Sequence, residues 1–350
     1  MPNKKASTIQ KKSSYAKAGV DIDEMMKSIS AIKRMVKKTS NRKVLSSIGS
    51  FGGLFAAPGK SNALVASTDG VGTKLNVAVI TGRHDTVGQD LVNHCTNDIL
   101  VQGAKPLFFL DYLGTSKLKA DVFRKVVSGL CKACRENNCA LLGGETAEMP
   151  GLYPEGEYDL VGTIVGAVDK KKIITGKSVR PGDMIIGLPS TGLHTNGYSL
   201  ARDVIFNQAK LKIDDIFPGT KKTVADILLE VHKSYLKPVS KLMKTISIRG
   251  MAHITGGGLI DNVPRVLPKN ISAIINPGSW KIPPVFQFIQ KHGKIDVKEM
   301  YRVFNMGIGF VLIIRPKDTE EALAILKNAK CNAKLIGYTE EGKKGVKLIG

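Results

Sequence analysis

The stretch S-T-D-G-V-G-T-K, residues 67–74, sets an acid, two glycines, a hydroxyl and a cation side by side. It looks at first like a phosphate loop. In the P-loop pattern G-x-x-x-x-G-K-[ST], however, the lysine precedes the hydroxyl residue, and here Lys74 follows Thr73. The apolar run Ala63–Ser67 ahead of it reads as a strand, so Asp69 emerges at a strand end, where α/β proteins often place ligands. Asp69 is poorly suited to touch phosphate and well suited to Mg²⁺, which takes carboxylate oxygens and shares its shell with phosphates. Gly70 and Gly72 let the backbone approach a ligand, and Lys74 offers a point charge.

A second set follows in V-G-Q-D-L-V-N-H-C-T-N-D-I-L (87–100). On a helix, Asp90, Asn93, Asn97 and Asp98 fall near one stripe, while Leu91, Ile99 and Val101 mark a packing face. Asn and Asp are poor helix formers, so their alignment needs a reason, and a bound metal supplies one. In L-L-G-G-E-T-A-E-M-P-G (141–151), a strand runs into Gly143 and Gly144, which permit close phosphate or ribose approach; Glu145 and Glu148 stand after them. Glu145 is placed to join a metal shell. S-T-G-L-H-T-N-G-Y-S (190–199) and A-H-I-T-G-G-G-L-I-D-N (252–262) are glycine-rich turns ahead of helices, whose N–H groups suit anions. Asn196 and Thr255 can add side-chain bonds to a phosphate or sugar, and His194 and His253 can move protons. Together these pieces describe a Mg²⁺–nucleotide site that opens with an acid.

The elements that must position them alternate. Helix is expected over Thr86–Gln102, a buried strand over Pro106–Leu113, a helix from Asp121, a short strand at Ala140–Leu142 and a long one at Tyr158–Val168. The basic, turn-rich segment 170–183 marks a domain boundary close to Thr175. Beyond it come a strand at Met184–Leu188, a helix after Asn196, a long helix over Val224–Thr245 and strands at Ile271–Ile275 and Gly309–Ile314. A helix at Thr319–Asn328 and a strand at Lys334–Tyr338 close the chain. The parse is two α+β domains, 1–174 and 175–350.

Of the 350 residues, 43% are hydrophobic and 23% charged, as in globular proteins. No run approaches the roughly 20 apolar residues that span a bilayer, and the basic N-terminus has no apolar core behind it, so a cytoplasmic location is expected. Net charge is +22, and residues 1–45 alone carry twelve Lys or Arg against three acids. With aromatics at only 6%, no stacking surface for nucleic acid accompanies that charge, which reads as a solvated basic tail. C-K-A-C-R-E-N-N-C (131–139) holds one C-x-x-C, but no second pair or nearby His completes a zinc site, so the five cysteines read as structural thiols.

The chain resembles the AIR synthetase family of purine biosynthesis, the phosphoribosylformylglycinamidine cyclo-ligases. The resemblance rests on S-Y-A-K-A-G-V-D-I-D (14–23), G-S-F-G-G-L (49–54), S-T-D-G-V-G-T-K (67–74) and N-D-I-L-V-Q-G-A-K-P-L-F-F-L-D-Y (97–112). It continues in G-G-E-T-A-E-M-P-G (143–151), G-L-H-T-N-G-Y-S-L (192–200), H-I-T-G-G-G (253–258) and M-Y-R-V-F-N-M-G-I-G (300–309). These stretches follow in order over nearly the whole chain. The resemblance implies a ferredoxin-like N-terminal α/β domain that forms a homodimer interface, with ATP near it, and a C-terminal α+β domain. It implies that ATP phosphorylates the formyl oxygen of formylglycinamidine ribonucleotide and that the ribose-bearing nitrogen then closes an aminoimidazole ring. On that basis Asp69, Asp90, Asp98 and Glu145 are the Mg²⁺ candidates. Gly70, Gly72, Thr73, Lys74, Asn97, Gly143 and Gly144 join them around ATP. Ser50, Phe51, Gly52, His194, Thr195, Asn196, Gly197, Thr255, Gly256 and Gly257 would hold the ribonucleotide, with His194, His253 and Lys74 as candidate catalytic groups. Selenophosphate synthetase, a related enzyme, would show a reactive Cys near the N-terminus, and no Cys here precedes Cys95.

Overall fold

In the computed structural model, which describes residues 13–18, 22–23, 37–38, 41–46, 51–57, 59 and 61–350, the apolar runs condense into two sheets. The first comprises β1 (Gly53–Ala56), β2 (Asn62–Gly70), β3 (Lys105–Thr115), β4 (Ala140–Glu148) and β5 (Tyr158–Asp169), in the order β1-β2-β5-β3-β4. Along β5, buried and half-buried residues alternate strictly, because successive side chains point to opposite faces. The buried face, with Leu160, Ile164 and Phe109, lies beneath the Val87–Leu100 helix, which packs on the Ala120–Glu136 helix. Those two helices approach closely at glycines: a Cβ on Gly88 would run into the backbone of Val126 and Leu130. The other face of the sheet has no covering layer among the described residues. There Thr68 and Thr163 share a 2.8 Å hydrogen bond across the strands, and Phe55 and Leu110 are 39% and 37% exposed.

The Gly-Gly-Glu segment does not follow β4 but lies inside it, which corrects the short strand expected at 140–142. Strand pairing then fixes which way each side chain faces. Gly144 pairs with Asp111, Asp111 with Gly162 and Gly162 with Asp69; Glu145 pairs with Tyr112, Tyr112 with Val161 and Val161 with Gly70. Residues in register share a face, so Asp69 points to the helix side and Glu145 to the open side.

The second sheet has the order β11-β8-β10-β6-β9-β7, from β6 (Met184–Pro189), β7 (Gly250–His253), β8 (Ile271–Ile275), β9 (Ile308–Ile314), β10 (Lys334–Glu341) and β11 (Gly345–Leu348). Its β9, flanked by β6 and β7, is buried throughout. The long helix expected over 224–245 is two short ones, Val224–Leu228 and Leu236–Leu242, joined by an extended segment. Pro238 fits only the first turn of the second helix, where its missing N–H costs nothing. Side chains of the Val87–Leu100 helix take up the backbone groups that the extended segment leaves free. No helix among the described residues is long and apolar enough to cross a membrane.

Candidate functional site between the two sheets

All fourteen residues of the Val87–Leu100 helix are buried, including Asp90, Asn93, Asn97 and Asp98. The polar stripe therefore faces protein. Asn93 Nδ2 donates to the His232 carbonyl at 2.8 Å, Asn97 Nδ2 donates to the Lys233 carbonyl at 2.8 Å, and Asn97 Oδ1 accepts from the Tyr235 N–H at 2.9 Å. Asp90 Oδ1 accepts from the His232 N–H at 2.7 Å. A buried peptide group left without a partner is costly, so these side chains complete the extended segment and dock the second sheet on the first. Three of the four stripe residues, Asp90, Asn93 and Asn97, are thus engaged by the neighbouring domain.

Lys74 shares that role. Its Nζ lies 2.8 Å from Asp90 Oδ2, both side chains being fully buried, and donates to the carbonyls of His194 at 3.2 Å and Glu230 at 2.7 Å. Burial presses the ammonium down and the Asp90 carboxyl up, each opposed by its partner. With its three donors occupied, Lys74 joins the domains and is not free for a phosphate; the expectations for Lys74 and Asp90 are corrected accordingly. Glu145, on the open face of the sheet, cannot share an ion with Asp69 of the same chain. Gly144 is needed for packing, since a Cβ there would strike Asp111.

Asp69 and Asp98 do converge. Asp69 Oδ2 lies 2.8 Å from His94 Nε2, and Asp98 Oδ2 lies 3.8 Å from the same nitrogen. Burial alone would lower His94, but the two carboxylates outweigh it and raise the imidazole to about 9. Asp69, despite burial that opposes ionisation, is held below the usual carboxylate range by His94 and by the Gly70 N–H. His94 is thus an imidazolium at neutral pH.

From it runs a chain of contacts that ends on Asp98, with His232 Nε2 also 3.2 Å from the Asn97 amide nitrogen. His94 Nδ1 meets Thr195 Oγ1 at 2.8 Å, and Thr195 Oγ1 meets His232 Nδ1 at 3.3 Å. His232 Nε2 faces His253 Nε2 at 3.1 Å, and His253 Nδ1 meets Asp98 Oδ1 at 2.8 Å. An ionised Asp98 can only accept, so His253 carries its proton on Nδ1 and its Nε2 accepts from His232. Ser67 Oγ donates to the other Asp98 oxygen at 2.9 Å. Burial keeps His232 well below its ordinary value, with neighbouring histidines adding to the effect, and lowers His253 against the pull of Asp98. The relay joins the two carboxylates through three histidines from both halves of the chain.

His194 is absent from this relay. It is fully buried in a left-handed conformation (φ 63°), stacked 4.0 Å from the His232 ring, with Nε2 accepting from the Thr191 N–H at 3.3 Å. Burial first, then nearby cations, press it well below its ordinary value. Its neighbours Thr195 and Asn196 are half-buried, as are Thr255 and Gly256, and Asn196 Oδ1 comes within 3.4 Å of a Cβ built on Gly256. These two loops therefore meet. Gly197 adopts φ 76° against the Phe304 ring, and Gly257 φ 105°. Phe51 stacks 4.9 Å from the Arg265 guanidinium, and the Gly52 carbonyl accepts from Gln102; Ser50 lies outside the described residues. Thr73 Oγ1 reaches Ser199 Oγ at 3.2 Å, beside a cavity of about 670 Å³ lined by Lys17, Arg202 and Asn207 among others. Gly72 adopts φ 68°, and a Cβ there would meet open space, as a ligand-facing turn requires.

Sequence reasoning missed His94 and His232. His94 is the centre of the 90, 94, 98 progression, one helical turn from each acid, and that spacing was a usable signal. His232 had none, because only the break in the expected helix turns it inward.

Comparison with known proteins gives the following. Residues 52–168 match the family model of the AIR synthase related protein N-terminal domain, and 180–349 match that of its C-terminal domain. A phosphoribosylformylglycinamidine cyclo-ligase from Thermoanaerobacter pseudethanolicus is 51% identical over 335 residues, covering 95% of this chain and 99% of that one. One from Syntrophotalea carbinolica is 50% identical over 347 residues, covering 97% and 99%. Among solved structures, a thiamine monophosphate kinase from Aquifex aeolicus superposes with a TM-score of 0.62 at 15% identity, covering 95% of this chain and 98% of that one. The hydrogenase maturation protein HypE in complex with ATP superposes with a TM-score of 0.61 at 18% identity, covering 94% and 92%. At such identities these two likenesses concern the fold.

Proposed function

The chain belongs to the phosphoribosylformylglycinamidine cyclo-ligase family, and from that membership we propose how its own residues serve the reaction. The activity is the ATP-dependent cyclisation of formylglycinamidine ribonucleotide to 5-aminoimidazole ribonucleotide in purine biosynthesis. We assign the chemistry to the cleft where Asp69 and Asp98 face one imidazolium. The observation that carries this is the shared approach of both carboxylates to His94 Nε2, at 2.8 and 3.8 Å. Two carboxylates facing each other need a cation between them, and in the metal-free protein His94 is that cation. The donor set suits Mg²⁺, with Asp69 and Asp98 as its protein ligands; Asp90 is taken by Lys74, and Glu145 faces the other way. Bound there, Mg²⁺ would neutralise the charge of ATP phosphates.

The remaining residues position and shuttle. The turn at Gly70, Gly72 and Thr73 gives the nucleotide an open backbone edge beside Asp69. Thr195, Asn196, Thr255 and Gly256 line the side on which the ribonucleotide binds, and Phe51 and Gly52 close it. Ring closure releases a proton, and His253 is the acceptor that fits: Asp98 orients its Nδ1–H and stabilises the charged form. Taking that proton on Nε2 requires His253 to give up the hydrogen bond it accepts from His232.

Three further readings accompany this one. The open face of the first sheet, with Phe55, Leu110, Val161 and Val165 on it and Leu142 64% exposed on the edge strand, suits a homodimer interface. Glu145, on that face, would then meet ATP only beside a partner subunit. The domain division is placed at Thr175, between the two sheets, and purine biosynthesis makes the cytoplasm the expected compartment.

The test is ADP release from Mg-ATP with and without formylglycinamidine ribonucleotide. Substrate-dependent release that falls at least 10²-fold in Asp98→Asn and His253→Gln, with the fold intact, supports the assignment. Full activity in both variants overturns it.

A further inference from the structure

A cavity of about 820 Å³ lies away from the carboxylates. It opens where the two domains meet at the connecting segment, next to Lys171 and Lys172, which follow the end of β5. Asn62 pairs with Asp169 at that end of the sheet and Asp69 with Gly162 at the other. The seven-residue offset along β2 puts roughly 23 Å between them.

Six cations line this cavity, from three separate parts of the chain: Lys105 from β3, Lys171, Lys172 and Lys177 from the connecting segment, and Lys244 and Arg249 from the second domain. No carboxylate lines it. Arg249 is paired with Asp183 at 2.7 Å. The five lysines are exposed, and among the described residues none is in ion-pair contact with an acid. Like charges gathered in a concavity repel one another and focus a positive potential outward, and an anion bound there relieves that repulsion. Hydroxyls of Thr175, Ser178 and Ser240 add neutral hydrogen-bonding groups, and Ile173, Ile246 and Ile248 supply apolar wall. The volume is that of a drug-sized ligand.

We propose that this cavity is a second anion site, separate from the reaction centre, that takes a small polyphosphate ester of the nucleoside di- or triphosphate class. Bound there, the ligand contacts both domains and the segment between them, so it tightens their docking.

The probe is inorganic tripolyphosphate, then ATP without Mg²⁺, titrated by calorimetry into the full-length protein in physiological salt. Two variants with the same change of net charge are compared: Lys105→Glu/Lys244→Glu in the cavity, and Lys317→Glu/Lys327→Glu on exposed surface that does not line it. Saturable binding of tripolyphosphate that weakens roughly tenfold or more in the cavity variant and under twofold in the surface variant is expected. The KM for Mg-ATP should stay unchanged in both, which separates this site from the catalytic one. The proposal is overturned by any of three results: no saturable binding up to about 10 mM, equal weakening in both variants, or binding of long single-stranded RNA alone.

Discussion

Replacing Lys74 by Met separates an interdomain role from a phosphate-binding one. The substitution keeps an aliphatic stem of similar length but removes the ammonium. It strips Asp90 of its 2.8 Å partner and leaves the carbonyls of His194 and Glu230 without their donor. Both side chains of the ion pair are fully buried, and removing one partner of such a pair costs about 3–5 kcal/mol. For a chain of 350 residues unfolding cooperatively, that corresponds to a Tm lower by about 4–7 °C on the usual per-residue unfolding entropy. The second substitution, Asp90→Asn, keeps the acceptor for the His232 N–H and removes the stranded charge. Lys74→Met/Asp90→Asn should therefore recover roughly half or more of the loss, since a buried pair adds little over a neutral, satisfied replacement. Denaturant unfolding of the four proteins of this cycle measures the coupling, with KM for ATP taken in parallel. If Lys74→Met leaves stability unchanged and raises only the KM for ATP, Lys74 is a phosphate ligand and the docking argument fails.

Three further outcomes follow from the same contacts. His94 is raised from its ordinary 6.5 to about 9, so its stabilisation of the metal-free fold is complete below about pH 6.5 and is lost as pH rises towards 9. One pH unit corresponds to about 1.36 kcal/mol, so the ceiling is about 3 kcal/mol, roughly halved because the Asp69 side chain is 42% exposed. Unfolding of wild type and His94→Gln in EDTA across this window should converge at high pH, and a constant difference would count against the ion pair. Asn97→Leu leaves the Lys233 carbonyl and the Tyr235 N–H unpaired and should cost about 2–4 kcal/mol, with faster proteolysis at 230–235; an unchanged Tm would show that the backbone contacts are dispensable. Gly197→Ala forces a side chain into φ 76° against the Phe304 ring, costing about 1–3 kcal/mol and raising KM for the ribonucleotide more than for ATP; equal effects on both would dissociate this loop from the ribonucleotide.

Periodicity made most of the elements readable, because burial on one face imposes it: β5 alternates along its length, and the helices at 87–100 and 319–328 lie within two residues of the expected limits. What stayed hidden depended on the partner. The Asp-Asn stripe announced that something polar must face it, but a metal, water and another backbone make the same demand on sequence. Only the docked segment at 232–235 identifies the partner as backbone. The helix expected over 224–245 failed for the same reason, since its interior peptides are satisfied by Asn93, Asn97 and Asp90 in place of helical neighbours. Glu145 was misplaced by a strand longer than its apolar run, because Gly143 and Gly144 read as a loop and are in fact paired. Asp69 and Asp98, which the proposed assignment keeps as metal ligands, each combined an unfavourable local propensity with a strand end or helical stripe nearby.

The relay between the carboxylates draws on residues 69, 94, 98, 195, 232 and 253, and this ordering has a consequence during synthesis. The N-terminal sheet and its helices are complete on the ribosome long before His253 emerges. Until residues 230–235 emerge, the buried stripe of the Val87–Leu100 helix has no segment to bind. On the assignment proposed above, a chain that ends before His253 lacks the group that takes up the ring-closure proton and is expected not to turn over the ribonucleotide.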